Sequence, residues 1–270
     1  MKLLRLCVSV LFIIVLVTFV VFQFTQLSVD KTLPQITVDG DKIEVSLDAT
    51  DTDLLKGVRA YDEKDGDLTD KIIVESISRF IEPGISVVRY AVCDSDNHAA
   101  YATRTIIYSN YEPPRFSLSD SLLFNISQNI NIRNILGATD SIDGDISRKV
   151  IITANEYSAN IPGVYYISAK VSNSKGDLIT QQFPVYVEEI SLSAPEIELE
   201  QYISYISVGE SFDIEGNAVS ATSSVGEDLK AQLNIDTNLD TSTPGMYEIH
   251  YRVTDGAGKL GHKIAIVVVE

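Results

Sequence analysis

Pro244-Gly245-Met246-Tyr247-Glu248-Ile249-His250-Tyr251-Arg252-Val253-Thr254-Asp255-Gly256-Ala257-Gly258 alternates strictly once past its opening turn. Tyr247, Ile249, Tyr251 and Val253 fall on one side; Glu248, His250 and Arg252 fall on the other. A period of two is the mark of a strand with one face in a core and the other in water. Pro fixes φ and Gly accepts positive φ, so the strand is expected to follow a tight turn.

The same pattern stands at two earlier places. Pro83-Gly84 and Pro162-Gly163 precede Pro244-Gly245 at intervals of 79 and 82 residues. Five residues beyond these prolines stand Val88, Ile167 and Ile249, and nine beyond stand Val92, Val171 and Val253. Upstream, Pro34, Pro114 and Pro195 open alternating apolar runs at intervals of 80 and 81. One period therefore accounts for six of the eight prolines and divides the chain into three units. Each unit reads as a series of short strands broken by Gly, Asn, Asp and Pro clusters, which is the grammar of an immunoglobulin-like sandwich. The expected fold is all-β: three tandem immunoglobulin-like β-sandwich modules, at 34–110, 111–189 and 190–270, after one N-terminal transmembrane helix.

That helix is expected at 6–24. Leu6 to Phe24 has only Ser9, Thr18 and Gln23 as clearly polar members, and such a run is long enough to cross a hydrocarbon core of about 30 Å. Lys2 and Arg5 precede it, which places residues 1–5 in the cytoplasm and, past a linker at 25–33, residues 30–270 outside it. A cleaved signal peptide is the rival. Phe22-Gln23-Phe24-Thr25-Gln26-Leu27-Ser28 offers no small-x-small cleavage site, so the segment reads as an uncleaved signal anchor.

The net charge is −17, and beyond residue 29 there are 19 basic against 38 acidic residues. Such a field repels nucleic acid and anionic lipid, which sets nucleic-acid binding aside. Cys7 lies inside the apolar segment and Cys93 beyond it, across the expected membrane boundary, so no disulfide framework is expected. Cys93 reads as a small buried hydrophobe on a strand. His98, His250 and His262 lack metal-ligand spacing, and His250, aligned with Arg89 and Ser168, reads as a solvated position. No Gly-x-Ser-x-Gly elbow, phosphate loop or dinucleotide fingerprint appears, and no enzyme is expected.

Ahead of each Pro-Gly lies an acidic turn: Ala60-Tyr61-Asp62-Glu63-Lys64-Asp65-Gly66-Asp67-Leu68-Thr69, then Ala138-Thr139-Asp140-Ser141-Ile142-Asp143-Gly144-Asp145-Ile146-Ser147. In the third copy, Ser224-Val225-Gly226-Glu227-Asp228-Leu229 has lost the first two aspartates. After each Pro-Gly strand comes a loop: Val92-Cys93-Asp94-Ser95-Asp96-Asn97, Val171-Ser172-Asn173-Ser174-Lys175-Gly176 and Val253-Thr254-Asp255-Gly256-Ala257-Gly258. Two readings of the carboxylates stand. Asp62, Asp65, Asp67 and Asp94, and likewise Asp140, Asp143, Asp145 and Asn173, would converge as the oxygen ligands of a weak calcium site, with none in the third copy. Alternatively, each side chain caps its own turn by accepting backbone N–H groups.

These motifs resemble the bacterial Ig-like repeat of cell-surface proteins, a type also found in a pesticidal crystal protein. The resemblance spans about 240 residues, everything after the apolar segment. It implies an extracellular spacer, stalk or adhesive array without catalytic residues of its own. Two functions follow as expectations: adhesion, or scaffolding and presentation of envelope components; and, as the alternative, an accessory module that binds a polysaccharide. The second requires exposed aromatic residues on one face, for which Tyr108, Tyr111, Tyr202 and Tyr205 are the candidates. The partner, protein or polysaccharide, is not named by the sequence, and no cofactor other than calcium is implied.

Overall fold

A computed structural model describes residues 2–27, 32–128, 131–155 and 158–270. The linker expected at 25–33 falls partly on 28–31, outside the described residues. The chain forms two compact units, Met1–Asn110 and Tyr111–Glu270.

The first unit begins with helix α1, Lys2–Leu27. Its side chains are described over 8–23, and all of these are exposed. Among the described residues no helix is long and apolar enough to cross a membrane. Beyond α1 the described helical structure is slight: α2, Asp51–Leu54, and four single 3-10 turns.

Residues 35–108 form seven strands: β1 Gln35–Val38, β2 Lys42–Val45, β3 Val58–Asp62, β4 Gly66–Asp67, β5 Ile73–Ile77, β6 Ile85–Cys93 and β7 Ala99–Tyr108. They make two sheets, β1-β3-β4 and β2-β7-β6-β5. The pairing is antiparallel except at β2, which runs parallel to β7 and crosses from one sheet to the other directly after β1. On β6 the side chains of Val88, Tyr90 and Val92 point between the sheets and are buried with Leu54, Val58, Ala60, Leu68, Ile72 and Ile106. The alternation read from the sequence is therefore the alternation of the core. Buried Tyr90 keeps its hydroxyl satisfied by donating to Leu54 O at 2.7 Å. Buried Arg104 donates to Lys56 O at 2.8 Å and Asp39 O at 2.6 Å, clasping two loops.

The second unit repeats this topology twice, the last copy reducing the short fourth strand to a single bridge between Thr222 and Asp228. Residues 115–188 carry β8 Arg115–Leu118, β9 Leu123–Asn125, β10 Leu136–Asp140, β11 Gly144–Asp145, β12 Ile151–Asn155, β13 Gly163–Ser172 and β14 Leu178–Glu188, in sheets β11-β10-β8 and β12-β13-β14-β9. Residues 196–269 carry β15 Glu196–Leu199, β16 Ile203–Ile206, β17 Ala218–Thr222, β18 Asn234–Thr237, β19 Gly245–Thr254 and β20 Leu260–Val269, in sheets β15-β17 and β16-β20-β19-β18. Again the second strand pairs in parallel with the last, β9 with β14 and β16 with β20. Ile167, Ala169 and Val171 face one interior, and Ile249, Tyr251 and Val253 face another.

These two sandwiches are sealed together, which explains why they form one unit. Inward residues of β20 are Ala265, Val267 and Val269; the alternate residue Ile266 is buried instead in the core of the preceding sandwich, among a cluster that includes Phe116, Leu122 and Phe124. Ile203, Met246 and Val268 pack against the same cluster. Strand β20 thus buries side chains on both of its faces, one inward and one against the neighbouring sandwich. Polar groups register the seam: Phe116 N donates to Tyr205 Oη at 2.9 Å and Ile264 N to Ser121 Oγ at 3.0 Å. Arg115 pairs with Glu270, and Lys263 with Asp120.

Three expectations are corrected. Cys93 ends β6 with its thiol exposed rather than buried, because the strand's inward positions are the even-numbered ones. Positive φ is used in only one Pro-Gly pair, at Gly84 (φ 74°). Gly163 and Gly245 instead open their strands extended, and each lies under the ring of the tyrosine two residues on. Tyr165 and Tyr247 donate back to Ile161 O and Thr243 O, both at 2.9 Å. In the first sandwich that position is Ser86, with no ring to cover the glycine. Lastly, His250 is on the outward face of its strand but is not solvated, being covered by the preceding sandwich.

Candidate functional site

The acidic turns are built from the strand end outward. Asp62 closes β3, and its Oδ1 accepts Lys64 N at 2.9 Å and Asp65 N at 3.0 Å, so the carboxylate folds the chain back over itself. Gly66 follows at φ 75°, a left-handed conformation with open space around it, and Asp67 then accepts Thr69 N at 2.9 Å. Thr69 returns the favour to the strand, its Oγ1 accepting Ala60 N at 3.2 Å. Asp65 is the link between loops, accepting Ser95 N at 2.7 Å. Asp94 caps its own loop, taking Asp96 N at 2.9 Å, His98 N at 2.7 Å and the His98 ring at 2.8 Å.

The second copy is the same device. Asp140 accepts Ile142 N and Asp143 N, each at 2.9 Å, and its other oxygen accepts Asn173 Nδ2 at 3.0 Å. Asp143 accepts Ser174 N at 2.7 Å and the Lys149 ammonium at 2.7 Å, and Asp145 accepts Ser147 N at 2.9 Å. Asn173 accepts Lys175 N and Asp177 N, both at 3.0 Å. In the third copy Ser223 stands in for the first aspartate and accepts Glu227 N at 3.0 Å, while Asp228 accepts Lys230 N at 2.9 Å.

The structure thus brings Asp65 to the loop that Asp94 caps and Asp140 to Asn173; Asp67 and Asp145 turn away to cap the following 3-10 turns. These oxygens point at N–H groups. Among the described residues no group of three or more His, Cys, Asp and Glu is arranged to hold a metal ion. The hydrogen bonds set the acidity. The Thr69 hydroxyl and N–H hold Asp67 below the usual carboxylate range, the Ser95 N–H does the same for Asp65, the Lys149 ammonium for Asp143, and the Ser147 hydroxyl for Asp145.

The tyrosines weighed as sugar platforms are engaged within the protein. Tyr205 sits in the seam under Arg115, whose guanidinium lies 5.2 Å from the ring centre, and burial pushes its hydroxyl up to about 12. Lys263 approaches the ring of Tyr202 at 5.7 Å. Tyr111 is held by Asp177 and by Asn173 Nδ2 at 3.0 Å, and Tyr108 packs against the first core, 5.9 Å from Phe80. Three open depressions, of 430, 300 and 490 Å³, are lined by residues such as Val45 and Asp53, Arg133 and Ser147, and Asp228 and Lys230. Among the described residues no His or Cys lines any of the three.

One constellation was missed by sequence reasoning: His250 and His262 meet in the seam with Tyr186, Glu188, Glu248 and Arg252. A signal for it existed. Ile264-Ala265-Ile266-Val267-Val268-Val269 is apolar on both strand faces, which marks a sheet covered on both sides.

Comparison with known proteins agrees with the motifs. Residues 1–270 include a stretch of 139 residues, 50% of the chain, that is 35% identical to pesticidal crystal protein Cry22Aa of Bacillus thuringiensis and covers 18% of that protein. A stretch of 138 residues is 30% identical to an uncharacterized 81.3 kDa protein of Acholeplasma phage L2, again 18% of its length. The chain therefore spans less than a fifth of the curated relatives it matches. Among solved structures, Drosophila N-cadherin EC1-4 overlaps 90% of this chain and 76% of its own at 12% identity, with a TM-score of only 0.24. Residues 198–268, most of the third sandwich, match the family described as bacterial surface protein, Ig-like domain.

Proposed function

We propose that the chain is a non-enzymatic surface stalk, tethered in the membrane by its N-terminal segment, that works by adhesion or by presenting and scaffolding envelope components outside the cell. The observation that carries this reading is the match of 198–268 to a bacterial surface Ig-like family, on a chain whose topology is repeated three times. The tether rests on the apolar run 6–24 behind Lys2 and Arg5. The use of polar groups is consistent with a spacer, since the aspartates cap turns and the tyrosines lock loops and seams. A polysaccharide-binding accessory role is the second reading, with Tyr61, Tyr101 and Tyr166 among the exposed aromatic side chains of the sandwiches.

Expression of the full chain in bacteria with alkaline phosphatase fused after Glu270 tests the placement. Enzyme activity in intact cells is the expected result. An inactive phosphatase, together with fluorescence from a green fluorescent protein at the same position, would contradict it. Surface cross-linking followed by identification of captured proteins, in parallel with a glycan array, then separates scaffolding from sugar binding: envelope proteins without glycan signals support the first, glycan signals alone the second.

A further inference from the structure

The three sandwiches finish the outer strand of their four-stranded sheet differently. β5 and β12 each carry a bulge, the register to the next strand shifting between Val74 and Ser76 and between Ile152 and Ala154. A bulge leaves one residue unpaired, bends the strand and spoils the row of N–H and C=O groups on its far side. β18 carries none. Asn234, Ile235, Asp236 and Thr237 pair in unbroken register with Arg252, Tyr251, His250 and Ile249. β18 also ends the sheet order, so among the described residues no strand lies beside its outer side. That side is a regular row of backbone donors and acceptors, open to a further strand.

The covering next to that strand differs as well. In the first sandwich the segment between the second and third strands forms α2, whose Leu54 is buried and whose carbonyl accepts the Tyr90 hydroxyl. In the second sandwich the same segment buries Ile132, and Arg133 Nη1 reaches Val150 O at 3.4 Å beside β12. The third copy keeps the tyrosine contact, Tyr251 donating to Ile214 O at 2.8 Å. Its Ile214 is only half-buried, however, and no helix forms over 207–217. What remains beside β18 is an open groove of 490 Å³, against 300 Å³ at the equivalent place beside β12. Ala231, Leu233 and Ile235 make its apolar side; Glu215, Asp228 and Lys230 make its polar side.

Charge selects what fills it. Glu215, Asp228 and Asp236 stand exposed around the groove against Lys230 alone. Residues 190–270 as a whole carry 13 acidic against 4 basic residues, a field that draws in cations. Asp236 is the one charged side chain of β18, exposed and 4.0 Å from Arg252. It repels the same edge of a second copy and attracts a cationic strand. The bulged β5 and β12 of a second copy lack the regular row that would complete the pairing.

We propose that the open edge of the third sandwich, β18 with its groove, binds an extended cationic segment of a partner protein, which adds to the sheet as a further strand. Main-chain pairing holds the segment, and its alternating side chains set the fit: apolar ones toward Ile235 and Leu233, basic ones toward Asp236. This contact is independent of the membrane tether and of the choice between adhesion and scaffolding.

The test uses the full isotope-labelled chain in detergent micelles and a synthetic probe, end-blocked Lys-Val-Lys-Val-Lys-Val-Lys. Glu-Val-Glu-Val-Glu-Val-Glu and Lys-Val-Lys-Pro-Lys-Val-Lys are the controls. The expected result is that the probe shifts amide resonances over 230–237 and slows hydrogen exchange at alternate residues of 234–237, those whose N–H points outward. Amides of β5 and β12 stay unchanged. The proline peptide, which lacks a donor at its centre, and the acidic peptide give no such protection. Glu215→Lys, at an exposed position of the groove, weakens binding of the probe by about fivefold while the melting profile is kept. Absence of protection at 234–237, equal protection by either control peptide, or unchanged affinity in Glu215→Lys would each overturn the proposal. Protection of 234–237 that appears without peptide and grows with protein concentration would overturn it too, by assigning the edge to a second copy.

Discussion

A carboxylate oxygen that accepts two backbone N–H groups replaces the water those groups would lose on folding. That is the role of Asp62 and Asp140, both nearly fully buried at the start of their turns. Asp140→Ala leaves Ile142 N and Asp143 N without an acceptor and Asn173 Nδ2 with Tyr111 Oη as its remaining one, and an unsatisfied buried donor costs about 1–3 kcal/mol. Denaturant unfolding of the full chain is expected to show a loss in that range for the 111–270 unit. The neighbouring carboxylates give a pH signature. Asp65, Asp67, Asp143 and Asp145 are held low by their donors. Their contribution is complete above the unfolded-state value, about 3.9, and is lost as pH falls through the depressed folded values. Melting midpoints followed downward from neutrality are expected to fall at acid pH, and Asp145→Asn to flatten that fall. The residue pattern Asp-x-x-Asp-Gly-Asp was legible in the sequence, but which N–H groups each oxygen accepts was not, because Asp65 and Asp143 reach a loop some 30 residues away in the chain.

At the scale of elements, the strand after each Pro-Gly was readable because alternation and burial are one fact: inward side chains are apolar, outward ones are not. The turn before it was only partly readable. Identical Pro-Gly pairs serve two conformations, and the choice follows from a residue two places on. Where Tyr165 or Tyr247 lies over the glycine, the backbone is extended; where Ser86 stands, Gly84 turns left-handed at φ 74°. Gly84→Ala is expected to cost about 1–2 kcal/mol, the penalty of a Cβ in that region, whereas Gly163→Ala is expected to be nearly neutral, its Cβ meeting only the Tyr165 ring at 3.6 Å. Equilibrium unfolding of the two variants checks the contrast, and equal losses would mean that the two turns share a conformation. Cys93 is a similar case: its parity on β6, not its composition, puts the thiol outside.

The whole molecule is more than a string of equal beads. Its outward face on β19 carries Glu248, His250 and Arg252, residues that read as a solvated surface, yet Glu248 accepts the Tyr186 hydroxyl of β14 and His250 lies against the Tyr186 ring. What makes the seam cohere is Ile266, 3% exposed and packed in the neighbouring core. Truncation of such a residue ordinarily costs about 2–5 kcal/mol. Differential scanning calorimetry of the full chain in micelles, with and without Ile266→Ala, is the most direct test that 115–188 and 196–269 fold as one body while 35–108 folds by itself. The account predicts two transitions in the native chain and a shift to lower temperature of only the larger one in the variant. Three independent transitions in the native chain, or a variant whose melting is unchanged, would contradict it.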